Sequence, residues 1–110
     1  MLSHYHGGIL NNAELARALQ VSNKTITHYT DILCSTFMVR LLRPWHVNIA
    51  KRQVKSPKLF IRDSGILHAL LGIHNAAALA VHPKLGASWE GFALEEIIRK
   101  HEAYTDEAYF

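Results

Sequence analysis

Residues 13 to 33 read AELARALQVSNKTITHYTDIL, and they are the most informative part of the sequence about the fold. It holds two segments with helical periodicity, separated by a break at residues 21 to 23. We predict a first helix from Asn12 to Gln20 and a second from about Asn23 to Thr36, with Ser22 as the cap of the second. Two short helices joined by a tight turn make a helix-turn-helix.

The side chains of this stretch suit two helices that cross. Either Asn11 or Asn12 can cap the first helix. Ala16 is small where the helices approach each other, and Val21 is predicted to fill the space beneath the turn. Gln20 stands where many such units have glycine, because the turn often needs a positive φ, so Gln20 is expected to adopt that conformation at some cost. The residues predicted to face inward from the second helix are Ile26, Tyr29, Ile32, Leu33 and Phe37.

The rest of the chain predicts short strands followed by helices, so the fold class is mainly α with a small β component (α+β). Strands directly after the helix-turn-helix would make that unit winged. We expect two units, a winged helix-turn-helix over residues 1–57 and the beginning of a second unit over residues 58–110. The predicted strands cover residues 38–42, 45–49, 58–62 and the start of one in 104–110; the predicted helices cover residues 63–71 with Asp63 or Ser64 as cap, 75–81, and 89–101 opened by Ser88.

The composition excludes several classes of protein. Hydrophobic residues make up 49% of the chain and charged residues 19%, so the chain can bury a core. The single cysteine, Cys34, gives no internal disulfide, which favours a reducing compartment. No apolar run approaches the roughly 20 residues of a membrane helix, and the first residues do not resemble a signal peptide. We therefore expect a cytoplasmic protein without membrane contact.

The charges are distributed unevenly. Seven of the twelve lysines and arginines lie between Arg40 and Arg62 without an acid among them, and six of the nine acids lie between Glu90 and Glu107. This pattern is typical either of two functional surfaces or of an ordinary solvated face. If the second helix reads a major groove, double-stranded DNA is the partner. The expected DNA-binding residues are Asn23, Lys24, Thr25, Thr27 and His28 on that helix, and Arg43, Lys51, Arg52 and Lys55 on or near the wing.

A regulatory or a protein-interaction role remains open for the same unit, since Lys24 is the one firm positive charge of the second helix and Asp31 lies in the same helix. The other candidate residues have structural interpretations. We interpret Cys34, Trp45 and Trp89 as core residues. His4 and His6 could bind a metal only with ligands from elsewhere in the chain, and we interpret them as part of a flexible terminus. No phosphate-binding loop and no metal-ligand spacing is found in the sequence.

Glu90 is the most unusual residue of the predicted last helix. It shares one face with Ala93, Leu94, Ile97 and Ile98, and an unpaired charge within an apolar stripe is costly. Glu90 is therefore expected either to pair with a cation or to line a functional site. The candidate cations are Lys58, Arg62 and Lys84; the neighbouring acids Glu95 and Glu96 lie off the stripe and are expected to be solvated.

Several runs, in order, resemble the C-terminal domain of unknown function of predicted prokaryotic ATPases of the AAA+ superfamily. In that family a winged-helix-like unit is joined to a fold similar to PD-(D/E)XK nucleases. The resemblance covers about Leu10 to Phe92. The runs that carry it are Leu15-Ala16-Arg17, Val21-Ser22, Tyr29 to Leu33, Thr36 to Trp45, Lys51-Arg52, Lys55 to Phe60, Arg62 to Ile73 and Gly86 to Phe92.

The resemblance implies a functional context. An ATPase module that uses ATP and Mg²⁺ would precede this region, and Glu90 would match the acid that helps hold a divalent metal in the nuclease-like fold. The later acids and the lysine of such a site are not found in the sequence, so the fragment itself is expected to have no catalytic activity and no cofactor. The expected partners are DNA, the ATPase module and a second copy of the chain.

Overall fold

A computed structural model describes residues 1–45 and 56–101 of the chain. The fold is α+β, mainly helical with a small sheet, as predicted. Among the described residues, no helix is both long and apolar enough to cross a bilayer. The elements in chain order are a 3-10 turn at Leu2–Tyr5, strand β1 at Gly8–Ile9, helices α1 at Asn12–Leu19 and α2 at Asn23–Ser35, strands β2 at Val39–Leu42 and β3 at Lys58–Ile61, and helices α3 at Ser64–Leu70, α4 at Ala76–Ala80 and α5 at Leu85–Lys100.

The described strands form an antiparallel sheet in the order β1-β3-β2. β3 is the central strand, with Leu59 opposite both Gly8 of β1 and Leu41 of β2. The predicted boundary between the two units, at residues 57 and 58, therefore lies directly before the first residue of the central strand. Most of the strand predicted over residues 45–49, and the one predicted to start in residues 104–110, lie outside the described residues.

Alternation along the strands gives the sheet two different faces. On one face, Val39, Leu59 and Ile61 join a buried apolar cluster with Leu15 and Ile26 of α1 and α2. On the other face, alternate residues of the same strands meet α5. The contacts on this second face are Arg40 with Glu95, Lys58 with Glu90, and Phe60 with the ring of His6.

Local capping explains where the first two helices begin and end. Asn11 accepts a hydrogen bond from the backbone N–H of Glu14 at 3.0 Å, and Ser22 accepts one from Thr25 at 3.1 Å. Gln20 has a φ of 57°, which confirms the expected left-handed conformation at the turn. The N–H of Val21 closes α1 by donating to the carbonyl of Ala16.

The predicted inner side of α2 is partly wrong. Ile26 is buried and Leu33 packs against the core, but Tyr29 and Phe37 are 60% and 74% exposed, and Ile32 is exposed as well. The buried stripe instead includes Thr30, a polar residue that the apolar pattern did not select. Three further residues that were predicted to be buried, Val21, Trp45 and Trp89, are exposed. Ser88 was predicted to cap the last helix, but it is buried within α5.

Candidate nucleic-acid interface

The N-terminal half of α2 presents a polar, exposed surface. Asn23, Lys24, Thr27 and His28 are exposed. Lys24, Thr27 and His28 share one helical face because they are three and four positions apart. Thr25 lies off this face, and its hydroxyl is 2.9 Å from that of Ser22 within the helix cap. Four of the five predicted residues of α2 are therefore exposed, and three of them share one face.

This face has mixed charge, and one of its side chains is held in place by a hydrogen bond. The Thr27 hydroxyl donates to the carbonyl of Asn23 at 3.1 Å, so this residue is held by its own helix. Asp31 lies one further turn along the same face and is exposed. The face therefore combines one lysine with one acid, and it is not strongly basic by itself.

Arg43 lies next to this surface, just after β2. It is exposed, and it lines a single cleft together with Thr27 and Asp31. The structure thus brings together two of the predicted DNA-binding residues that are distant in sequence, Thr27 and Arg43. Lys51, Arg52 and Lys55 lie outside the described residues, so their placement stays a prediction.

Glu90 does not lie in a buried stripe. Its side chain is 49% exposed, and it accepts from Lys58 Nζ at 3.4 Å, which confirms one of the three predicted cation partners. Among residues 1–45 and 56–101, no group of three His, Cys, Asp or Glu side chains comes together in a way that would hold a metal ion. The role of Glu90 as a metal ligand or catalytic acid stays a prediction.

The buried acid of α5 is Glu95, and the expectation that it is solvated was wrong. Its carboxylate accepts from Arg40 Nε at 2.6 Å and from Arg62 Nε at 3.2 Å. Glu95 lies on the face of α5 that packs on the sheet, together with Ser88, Gly91 and Ile98. Two cations around one carboxylate satisfy a charge that would otherwise be costly to bury. The position of Arg40 within an apolar strand was the sequence signal for such a partner.

His6 is buried, and the expectation of a flexible terminus was wrong. Its Nδ1 accepts from the N–H of Ile61 at 2.9 Å, so its Nε2 carries the proton and donates to the carbonyl of Ala87 at 2.9 Å. Gly91 allows this approach, since a Cβ there would lie 2.7 Å from Nε2. Burial lowers the pKa of His6, so the ring stays neutral and joins the sheet to α5.

Cys34 is partly buried and packs against the apolar cluster, in agreement with a core role. Burial raises the pKa of its thiol, and Asp31 acts in the same direction, while nearby arginines oppose them. A raised pKa disfavours the thiolate, which is the reactive form. Cys34 is therefore not a candidate nucleophile.

The described fold is that of an α+β protein with a helix-turn-helix and an exposed polar second helix. Residues 1–77 match a family described as a Domain of unknown function (DUF8612). Because this match covers more than half of the chain, the protein belongs to that family.

Two mycobacterial proteins are similar in sequence. They are uncharacterized protein Rv2008c of Mycobacterium tuberculosis (strain ATCC 25618 / H37Rv) and uncharacterized protein Mb2031c of Mycobacterium bovis (strain ATCC BAA-935 / AF2122/97). Each is 56% identical over 97 residues, which cover 88% of this chain and 22% of the relative. The chain thus spans about a fifth of the length of these relatives. No solved structure matches it.

Proposed function

We propose that this chain is a winged helix-turn-helix module that binds duplex DNA, with α2 as the recognition helix. Two features support this proposal. One is the helix-turn-helix, and the other is the antiparallel pair of β2 and β3, because the sequence that connects these strands contains Lys51, Arg52 and Lys55. The observation that carries the proposal is that Thr27 of α2 and Arg43 beyond β2 line the same cleft. The helix and the base of the wing thereby offer one surface to a phosphate backbone.

The test is a titration of labelled duplex DNA, followed by fluorescence anisotropy at several salt concentrations. Each phosphate contact contributes about 0.9 to the slope of log affinity against log salt. Lys24→Gln and Arg43→Gln should each lower that slope by about one. Lys100→Gln is the matched control, because it removes one positive charge from the exposed end of α5, beyond the opposite face of the sheet. DNA binding that is absent at low salt would contradict the proposal.

A second proposal is that the chain associates with a second copy of itself through the outer face of α5. Leu85, Trp89, Phe92 and Ile97 are exposed along this helix, and the rings of Trp89 and Phe92 stack with centroids 5.7 Å apart. Helix-turn-helix proteins commonly bind DNA half-sites as dimers. Sedimentation equilibrium should show a concentration-dependent dimer that Trp89→Lys abolishes; a monomer at all concentrations would contradict it.

Further proposals rest on the family resemblance alone. We propose that longer relatives carry an ATPase module that uses ATP and Mg²⁺, and that this module docks with the present chain in the cytoplasm.

We also propose that Glu90 is the remaining acid of a nuclease-like metal site. A single carboxylate paired with Lys58 is a poor Mg²⁺ ligand, so this chain alone is proposed to be inactive. Calorimetric Mn²⁺ binding that disappears in Glu90→Gln would support the metal role; Mn²⁺ binding unchanged in Glu90→Gln would argue against it.

A further inference from the structure

A half-open cleft of about 500 Å³ lies between the start of α1, the middle of α2 and the edge of the sheet. Its volume falls within the range of small-molecule sites, which typically combine an apolar wall with a few polar groups. Ile9, Leu10, Leu41 and Pro57 supply the apolar wall. The polar groups are contributed by Asn11, Asn12, Thr27, Thr30, Asp31, Arg43 and Ser56.

One buried polar atom of these residues has no hydrogen-bond partner among the described residues. Asn12 Oδ1 is fully buried and accepts no hydrogen bond there. Thr30, which also lines the cleft, is only 5% exposed. Buried polar groups normally have partners, because desolvation without a hydrogen bond costs free energy. Asn12 lines the cleft, so a bound molecule with a hydrogen-bond donor would satisfy its amide oxygen.

The cleft also contains two opposite charges that do not neutralise each other. Within residues 1–45 and 56–101, neither Asp31 nor Arg43 forms an ion pair with any side chain. Both act on the pKa of the nearby Cys34 thiol, Asp31 raising it and Arg43 lowering it. A carboxylate and a guanidinium held apart in one cleft suit a ligand that carries an ammonium group and a carboxylate.

We propose that this cleft binds a small zwitterion, a free α-amino acid. Asp31 and Asn12 Oδ1 accept from its ammonium group, Arg43 donates to its carboxylate, and the apolar wall receives its side chain. Thr27 and Arg43 also belong to the proposed DNA surface, so the amino acid competes with DNA. This last consequence rests on the proposed function, whereas binding of the amino acid does not.

The test begins with thermal shift measurements on the whole chain with each standard L-amino acid, followed by titration calorimetry of the amino acid with the largest shift. One-site binding is expected, and Asp31→Asn and Arg43→Gln should each weaken it by about tenfold or more. Both side chains are exposed, so the variants should fold, which circular dichroism checks. Glu96→Gln and Lys100→Gln on α5 are the matched controls and should bind as the unchanged chain does.

Analogues of the amino acid test the contacts of its ammonium group and of its carboxylate separately. N-acetylation removes the ammonium and amidation removes the carboxylate, and each should weaken binding as the matching variant does. The proposal is overturned if no amino acid binds at millimolar concentration, or if Asp31→Asn and Arg43→Gln bind normally. For the competition, adding the amino acid should release labelled DNA in proportion to its occupancy of the cleft. DNA affinity that is unchanged at saturating amino acid would overturn the competition.

Discussion

On the face of the sheet toward α1 and α2, Val39, Leu59 and Ile61 pack against apolar side chains. On the face toward α5, the strands meet Glu95 through Arg40 and meet the neutral ring of His6. Apolar packing depends on shape and volume and is insensitive to pH. Buried polar contacts depend on every partner remaining in place and in its correct protonation state. The two faces should therefore respond differently to mutation and to acid.

The strongest test of this difference is Glu95→Ala. Removing the carboxylate breaks the buried ion pair in which Glu95 lies 2.6 Å from Arg40 Nε, and breaking such a pair typically costs about 3–5 kcal/mol. Urea denaturation should show this loss in the free energy of unfolding. Glu96→Ala, at an exposed neighbouring position, is the control and should change it by less than about 0.5 kcal/mol. A loss below about 1 kcal/mol in Glu95→Ala would mean that Arg40 is satisfied without Glu95.

Leu59→Ala tests the apolar face. Leu59 is fully buried in the central strand, so its truncation should cost about 2–5 kcal/mol through lost transfer free energy and the cavity that remains. Urea denaturation should show this loss to be equal at pH 7 and pH 5, if the leucine acts only by packing. A Leu59→Ala effect that changes between these pH values would break the contrast between the two faces.

The third test uses the pH dependence of His6. Burial lowers its pKa, and Lys84 and His68 act in the same direction, while the Ala87 carbonyl and Glu90 oppose them. The folded state therefore binds this proton less readily than the unfolded state. Its contribution to stability is complete above a pH of about 6.5 and is lost as the pH falls toward the lower pKa of the folded state.

The free energy of unfolding should accordingly fall with decreasing pH by up to about 1.4 kcal/mol per pH unit below that point. Measuring the unfolding of His6→Gln over the same range should give a shallower dependence. His4→Gln, at an exposed position two residues away, should retain the original slope. Equal slopes for His6→Gln and the unchanged chain would show that His6 is not the responsible group.

The smallest expected change in stability comes from substitutions in the turns that flank α2. Gln20 and Phe37 both have positive φ, which is strained for residues other than glycine. Gln20→Gly should stabilise the fold by about 1 kcal/mol, because it removes this strain at an exposed position. Phe37→Gly should gain less, because the Arg62 guanidinium lies 5.5 Å from the Phe37 ring and loses that contact. Thermal denaturation of both variants distinguishes these outcomes.

The local features of the fold were predictable because they depend on neighbouring residues. The caps at Ser22 and Asp63 and the left-handed Gln20 follow from short-range hydrogen bonding and sterics, and the structure confirms them. The inner side of α2 was only partly predictable. Tyr29 and Ile32 fit the helical period of a core face, but the packing of α2 turns Thr30 inward instead.

The candidate interface likewise combines features that the sequence predicted with features that depend on tertiary packing. The sequence indicated Thr27 as a DNA-binding residue because of its position in the second helix, and Arg43 because it belongs to the basic run. The two residues are sixteen positions apart in the chain, and this spacing does not predict that they line one cleft. Asn12 was considered only as a helix cap and Thr30 was not selected, yet both line this cleft. Their significance depends on burial, which sequence periodicity does not supply for isolated polar residues.

The α+β class, the helix-turn-helix and the positions of most helix ends could be predicted from the amino-acid sequence, because they depend on local propensity and capping. Which acid of α5 is buried depends instead on how this helix packs against the sheet. That helix has apolar residues on several sides, so its pattern fixes the relative but not the absolute orientation of its side chains. The small residues Ser88 and Gly91 allow close approach to the sheet, and this packing turns Glu95 toward Arg40 and leaves Glu90 near the surface.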